Sequence, residues 1–296
     1  MKKGVCKYLI ILLTNVLIPN TVISQETLPI DVIIDNNGVK LEGKFYAVKN
    51  KEGSFPTLIL LKGFASNALD VLGLGKQLAQ SNINVLTFTN SGVAPSEGLF
   101  SFSNSLVDIK AAHKFVLKPE NISRFKIDTS SIIIGGHSYG GGLGMTYTIN
   151  HPEIKQVLSI SGNDWGENFE EYVNNPEYKA RIDASMNKRI ISGKVKFDTG
   201  GLPSEMVADG IDKINQSLYL KRNANLLATK KILLICGWND NVVSIDRYIL
   251  PLYRELNEQK ASQVKIKAFQ DNHGFTKSRN ELAKTIINWI NDSQKP

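Results

Sequence analysis

One G-x-S-x-G string and four histidines frame the nucleophilic chemistry open to this 296-residue chain. Gly136-His137-Ser138-Tyr139-Gly140 follows the apolar run Ile132-Ile133-Ile134 and leads into a helical stretch from Tyr139 to Ile149. A serine on a sharp strand-to-helix turn must adopt strained backbone angles, and the residues two before and two after it must be small. The helix amino terminus then faces the serine and favours negative charge there. A serine hydroxyl becomes a nucleophile only with a base, and the base needs an orienting acid.

His273, in Asp271-Asn272-His273-Gly274-Phe275, follows the last strand-like segment and is the natural base. His113 falls mid-helix, His137 is the variable residue of the serine string, and His151 precedes Pro152 at a helix end, a capping or surface position. Asp240 fits the acid: it follows the penultimate strand in Gly237-Trp238-Asn239-Asp240-Asn241-Val242-Val243, a G-x-x-D-x-x-V turn. Asp164, in Ser161-Gly162-Asn163-Asp164-Trp165, is the alternative acid. Asp271 is too close in sequence to His273 to orient it.

The elements that must carry these residues are legible as apolar runs. Thr57–Leu61, Asn84–Phe88, Ser131–Ile134, Gln156–Ile160 and Lys231–Cys236 are continuous and β-branched, the pattern of strands buried on both faces of a parallel sheet. Val264–Phe269 alternates like an edge strand, and Asp31–Ile34 and Lys40–Val48 flank the hairpin signal Asn36-Asn37-Gly38. Helical stretches lie between them at Leu69–Ser81, Ser105–Leu117, Tyr139–Ile149, Asp246–Gln259 and Arg279–Trp289. Strand–helix alternation after an antiparallel start implies an α/β sandwich with a mostly parallel eight-stranded sheet, whose sites sit at the carboxyl ends of the strands. From about 163 to 228 no strong strand is evident. Helical patterns over Glu167–Val173, Glu177–Ser185 and Ser204–Leu220 make this a helical lid inserted after the sixth strand.

With its elbow at Ser138, then Asp240, then His273, the chain resembles the α/β-hydrolase fold superfamily, whose order is nucleophile, acid, histidine. Lys62-Gly63-Phe64 occupies the place of the family's His-Gly oxyanion segment, and Asn90 to Gly98 resembles its R-G-x-G-x-S-x-G loop. Lys62 stands where histidine is common, and Ser91 where arginine is. The resemblance implies oxyanion donation by the backbone N–H groups of Phe64 and Tyr139, with no metal or organic cofactor. Trp165 and Phe169, at the start of the insertion, could line an acyl pocket or form the insertion's own core. Cys236, ending a buried strand, reads as core.

Met1 to Lys7 is basic, Tyr8 to Ile18 is apolar, and Val22-Ile23-Ser24 suits cleavage before Gln25. That reads as a secretory signal peptide over 1–24, with 25–296 as one α/β-hydrolase domain, exported to the periplasm or outside the cell. The apolar run is too short to span a membrane, so no stable membrane insertion of the mature chain is expected. Removal of Lys2, Lys3 and Lys7 with no acid lowers the net charge of +7 by three. The remaining basic residues are scattered among acids, a solvated surface and not a nucleic-acid footprint. The composition excludes a disordered tail, a collagen-like repeat and a disulfide-rich miniprotein. The expected activity is a serine hydrolase acting on small carboxylic esters through an acyl-enzyme. The alternatives are a peptidase resembling the prolyl oligopeptidase catalytic domain, and a non-catalytic binding protein on the same fold. Oligomeric state is not legible.

Overall fold

The computed structural model describes residues 28–64, 70–198 and 203–292. The leader-like segment, and the start of the helix read from Leu69, lie outside the described residues.

Asn37 and Gly38 take φ angles of 53° and 89°, the left-handed pair that a two-residue hairpin turn requires. They fold β1 (Ile30–Asn36) back onto β2 (Val39–Tyr46), pairing Asn36 with Val39. Then follow β3 (Phe55–Leu61), α1 (Leu74–Gln80), β4 (Asn84–Phe88), α2 (Phe102–Val116) and α3 (Pro119–Phe125). Next come β5 (Ile127–His137), α4 (Tyr139–Ile149) and β6 (Gln156–Ile160). The interval after β6 holds α5 (Trp165–Asn174), α6 (Pro176–Ile191), α7 (Pro203–Asp209) and a single turn, α8 (Ala224–Leu227). The chain closes with β7 (Lys231–Gly237), α9 (Leu250–Glu258), β8 (Val264–Phe269) and α10 (Arg279–Asn291).

The sheet order is β1-β2-β4-β3-β5-β6-β7-β8, with β2 antiparallel to both neighbours and the remaining pairs parallel. Every residue of β3 and β4 is buried, as their unbroken apolar runs require. Side chains alternate between two cores. Leu58 and Leu60 face Leu74 and Leu78 of α1 and Trp289 of α10, whereas Ile59 and Leu61 face Ile109 and Val116 of α2 and Leu143 of α4. Among the described residues no helix is long and apolar enough to cross a membrane.

From β3 the chain leaves toward β4, and from β5 it leaves toward β6, on the opposite side. The topological switch therefore lies between the carboxyl ends of β3 and β5, where open parallel sheets form a crevice. Lys62-Gly63-Phe64 and Ser138 stand at those two ends.

Several elements differ from their sequence expectation, among them α3, a helix that the sequence reading does not contain. β5 begins at Ile127 and not Ser131, because Ile127 pairs with Phe55 across a register shift before regular pairing resumes at Ile132. The polar residues Asp128, Thr129 and Ser130 hide that extension from a hydrophobic pattern. Asp246–Gln259 opens with a wide turn over Ile245–Ile249 before α9 proper. The interval after β6 also contains extended backbone. Val195 and Phe197 pair with Val93 and Phe100, and Lys196 exchanges backbone hydrogen bonds with Gly92 and Phe100. A polar strap of this length carries no strand signature of its own.

The loop that receives this strap is held by one buried carboxylate. Asp108 of α2 accepts hydrogen bonds from the Ser91 amide (2.8 Å), Ser91 Oγ (2.6 Å), Asn90 Nδ2 (3.3 Å) and Asn36 Nδ2 (2.8 Å). It ties the hairpin, the loop after β4 and α2 together with zero solvent exposure. Asp108→Ala strands these donors, so urea unfolding should show a loss of about 3 kcal/mol. A loss under about 1 kcal/mol would mean the loop is held by other contacts.

Candidate active site

The turn after β5 is built by close approach. A Cβ on Gly136 would lie 2.5 Å from the Gly140 carbonyl oxygen, and one on Gly140 would lie 2.6 Å from Leu61 Cβ. With no side chain at either, the chain reverses between β5 and α4, leaving Ser138 at φ 55° and ψ −118°. The Ser138 amide donates to the Ile160 carbonyl (2.8 Å), and the Gly140 amide donates to the Lys62 carbonyl (3.0 Å). These bonds tie the serine turn to β6 on one side and to the end of β3 on the other. A Cβ on Gly63 would sit 3.6 Å from Ser138 Cβ, so the Gly63–Phe64 backbone runs alongside the serine. Tyr139 opens α4, where first-turn amides have no carbonyl within the helix to bond.

His273 and Asp240 are brought together from the loops after β8 and β7. His273 Nδ1 lies 2.8 Å from Asp240 Oδ2, while Asp240 Oδ1 accepts from the amides of Val242 and Val243 (2.9 Å each). Burial would raise the Asp240 pKa, but the bond from His273 and those two amides hold it below the ordinary carboxylate range. An ionised Asp240 fixes the proton on His273 Nδ1 and leaves Nε2 as the basic nitrogen. Asp271 is occupied by its own loop, accepting from the amides of Asn272, Lys277 and Ser278 and from Ser278 Oγ (2.8 Å each).

Asp164 stands elsewhere. It caps α5, accepting from the amides of Glu167 and Lys221 (3.2 Å each), and burial pushes its pKa up to about 6. Of the other histidines, His113 bonds the Tyr147 hydroxyl through Nδ1 (3.2 Å). His151 stacks on the Tyr147 ring at 3.7 Å and bonds its carbonyl, in keeping with a helix-end role. His137 does something that its sequence position does not reveal: its Nε2 lies 2.8 Å from the backbone carbonyl of His273.

Ser138, His273 and Asp240 line one cavity of about 960 Å³ between the strand ends and α5, α6 and α7. One part of its wall is an aromatic cluster. Phe102 meets Tyr139, Trp165 and Phe169 edge-to-face at 5.1, 5.0 and 4.8 Å, and Phe64 meets Tyr139 at 5.7 Å. Tyr139 is itself buried and donates from its hydroxyl to Ser105 Oγ (2.8 Å). Asn168 Oδ1 accepts from the hydroxyls of Tyr178 (2.5 Å) and Tyr248 (3.0 Å), fastening α5 to α6 and to the turn before α9. Cys236 is fully buried, and burial pushes its thiol up to about 12.

Lys62 also lines the cavity. It is 4% exposed, its ammonium donates to Thr89 Oγ1 (2.6 Å), and burial pushes its pKa down to about 8.

Comparison with known proteins places this architecture. The family model described as alpha/beta hydrolase fold matches residues 56–190. Est1E from Butyrivibrio proteoclasticus superposes with a TM-score of 0.63 at 16% identity, covering 88% of this chain and 98% of that one. The esterase of Pyrococcus furiosus gives a TM-score of 0.64 at 17% identity, covering 91% and 92%. The acylaminoacyl peptidase of Pyrococcus horikoshii gives 0.62 at 16% identity, covering 90% of this chain but 42% of that chain. No curated protein matches the sequence.

Two unfavourable features of the site are measurable. Ser138→Gly relieves the left-handed strain and Ser138→Ala does not. The glycine variant should therefore be about 1 kcal/mol more stable than the alanine variant in chemical denaturation; a glycine variant less stable than alanine by about 0.4–1 kcal/mol, the ordinary entropy cost of glycine, would show that the turn stores no strain. The Lys62 pKa of about 8 against 10.5 means that folding expels a proton between those pH values, so burial costs stability below pH 8 and the cost fades above it. Lys62→Met should be more stable than the parent by about 1–3 kcal/mol at pH 7, narrowing toward pH 10. A pH-independent difference would show that the ammonium is not desolvated.

Proposed function

We propose that this chain, which has the α/β-hydrolase fold, is a serine hydrolase that cleaves carboxylic esters through an acyl-enzyme intermediate. The reading is carried by one observation: a buried Asp240 bonded to His273 Nδ1, sharing a cavity with a serine held at φ 55°. In this reading His273 Nε2 takes the Ser138 proton as Oγ attacks the acyl carbon. The backbone amides of Phe64 and Tyr139 receive the oxyanion. Collapse of the tetrahedral adduct returns that proton to the leaving alcohol, and water, activated by the same histidine, releases the acid. After deacylation the serine is free, the histidine is neutral, and the enzyme is back in its starting state. Asp240 stays ionised throughout and stabilises the imidazolium.

The helical insertion is a lid in this reading, and Trp165, Phe169 and Phe102 form the acyl pocket. Flat rings meeting edge-to-face suit an aromatic acyl group better than a long flexible chain. Ferulic acid has been captured on the similar Est1E of Butyrivibrio proteoclasticus, which agrees with that preference. The peptidase reading draws on the likeness to the acylaminoacyl peptidase, of which this chain spans 42%. Export is proposed from the basic and apolar residues before Gln25.

A panel of p-nitrophenyl esters, with acyl-amino-acid anilides beside it, tests the assignment. Ester turnover should fall by at least 10³-fold in Ser138→Ala, and arylalkanoyl esters should show a higher kcat/KM than acetate. Equal turnover by parent and Ser138→Ala would remove Ser138 from the mechanism. Anilide cleavage exceeding ester cleavage would favour the peptidase. A folded protein that forms no serine adduct with a fluorophosphonate would be a binder.

A further inference from the structure

His137 sits immediately before the nucleophile and reaches across to the base. Its Nε2 lies 2.8 Å from the His273 carbonyl oxygen, and the two imidazole rings are 4.7 Å apart at 42°. A carbonyl only accepts, so His137 Nε2 carries the proton and Nδ1 is bare. On its other edge the ring borders the oxyanion segment: a Cβ on Gly63 would meet His137 Nδ1 at 3.6 Å. One side chain therefore stands among the nucleophile turn, the histidine loop and the segment that carries Phe64.

Asp271 fastens the histidine loop through the amides of Asn272, Lys277 and Ser278, none of them that of His273. The Asn239 amide donates to the Asp271 carbonyl (3.0 Å), tying the loop to the acid turn. Phe275, at φ 50° and fully buried, anchors its far end. Arg279 Nη2 donates to the Gly274 carbonyl (3.2 Å). Each of these bonds holds a neighbour of His273; His137 holds the backbone of His273 itself, from the same turn that presents Ser138.

We infer that His137 is a positioning residue, which sets the distance between the base and the nucleophile by bonding the His273 carbonyl from the residue next to Ser138. The inference rests on the hydrolase reading of Ser138 and His273. His137 touches neither substrate nor transferred proton in this role. It must stay uncharged, since a second cation beside His273 would oppose formation of the imidazolium. Burial and the neighbouring His273 push its pKa down to about 4, which keeps it neutral in any ordinary buffer.

The test compares His137→Phe, which keeps a ring and loses the donor, with His137→Gln, whose amide N–H can reach the place of Nε2–H. Three readings are taken on each folded variant: kcat and KM on a p-nitrophenyl ester, the rate of Ser138 labelling by a fluorophosphonate, and the low-field proton resonance of the His273–Asp240 bond. His137→Phe should lower kcat and the labelling rate by about 10- to 100-fold with KM within about twofold, the effect of a small misplacement of reacting groups. His137→Gln should recover most of that loss. The low-field resonance should persist in both, because the Asp240 bond is made from the other side of the ring. Parent-like kcat and labelling in His137→Phe would overturn the positioning role, and so would an equal loss in His137→Gln. A parent protein that is not labelled at Ser138 overturns the hydrolase reading and this inference with it, a result distinct from either of those. If His137→Phe does not fold, His137→Asn, whose amide falls short of the carbonyl, carries the same expected loss and the same overturning result.

Discussion

Two missing side chains hold the site together. Gly136 and Gly140 let β5 and α4 approach until backbone meets backbone, and the turn between them has room for Ser138 only in a left-handed conformation. The rest follows from that contact. α4 is pressed against the end of β3, so the Gly140 amide finds the Lys62 carbonyl and the Gly63–Phe64 backbone comes alongside the serine. β3 and β5 are neighbours in the sheet, with Leu61 paired to Gly136, so the segments expected to receive an oxyanion adjoin the nucleophile by sheet register. A Cβ at either glycine would separate these backbones and dismantle the arrangement at its centre.

Asp240 and His273 are positioned by the same kind of register, two strands further along. Gly237 pairs with Phe269 at the ends of β7 and β8, and the loops that leave from there remain in contact. Neither loop is regular structure, and each is stiffened by its own aspartate. Asp240 holds the amides of Val242 and Val243, and Asp271 holds those of Asn272, Lys277 and Ser278. The two aspartates differ in where the second oxygen points. That of Asp240 turns to His273, whereas that of Asp271 turns inward to its own loop.

This division explains what was legible in the sequence. Buried parallel strands announce themselves through Val, Ile and Leu, the opening hairpin through Asn-Gly and the edge strand through alternation, so the eight strands and the order of Ser138, Asp240 and His273 along them could be read directly. Asp240 and Asp271 could be told apart by distance along the chain, since a histidine two residues away cannot be faced squarely by its neighbour's carboxylate. Structure made by polar backbone left no such trace. The 127–130 extension of β5 and the strap around Val195 pair through main-chain groups, with side chains that read as loop. Asp108 is silent for a similar reason: a carboxylate in mid-helix carries no sign that four donors from distant loops converge on it. Ser91, where the resemblance read from the sequence leads one to expect arginine, is one of those donors, so the serine there has a local partner. His137 is hidden because the serine string leaves its position unconstrained.

Three unfavourable groups of this protein stand at the ends of the sheet strands. Ser138 is strained, Lys62 buries an ammonium, and Asp164 is a carboxyl pushed toward neutrality, all near the carboxyl ends of the strands. None would persist on an isolated loop, because each could relax at a cost of one or two hydrogen bonds. They persist because the surroundings are over-determined. Two apolar cores clamp the sheet from both faces, Asp108 ties three segments together, and Asn168 joins α5 to α6 and to the turn before α9. Stability is thus concentrated in the strands and their flanking helices, where sequence changes are felt as packing. The strand ends are free to carry arrangements that oppose folding, and a serine held at positive φ is one of them.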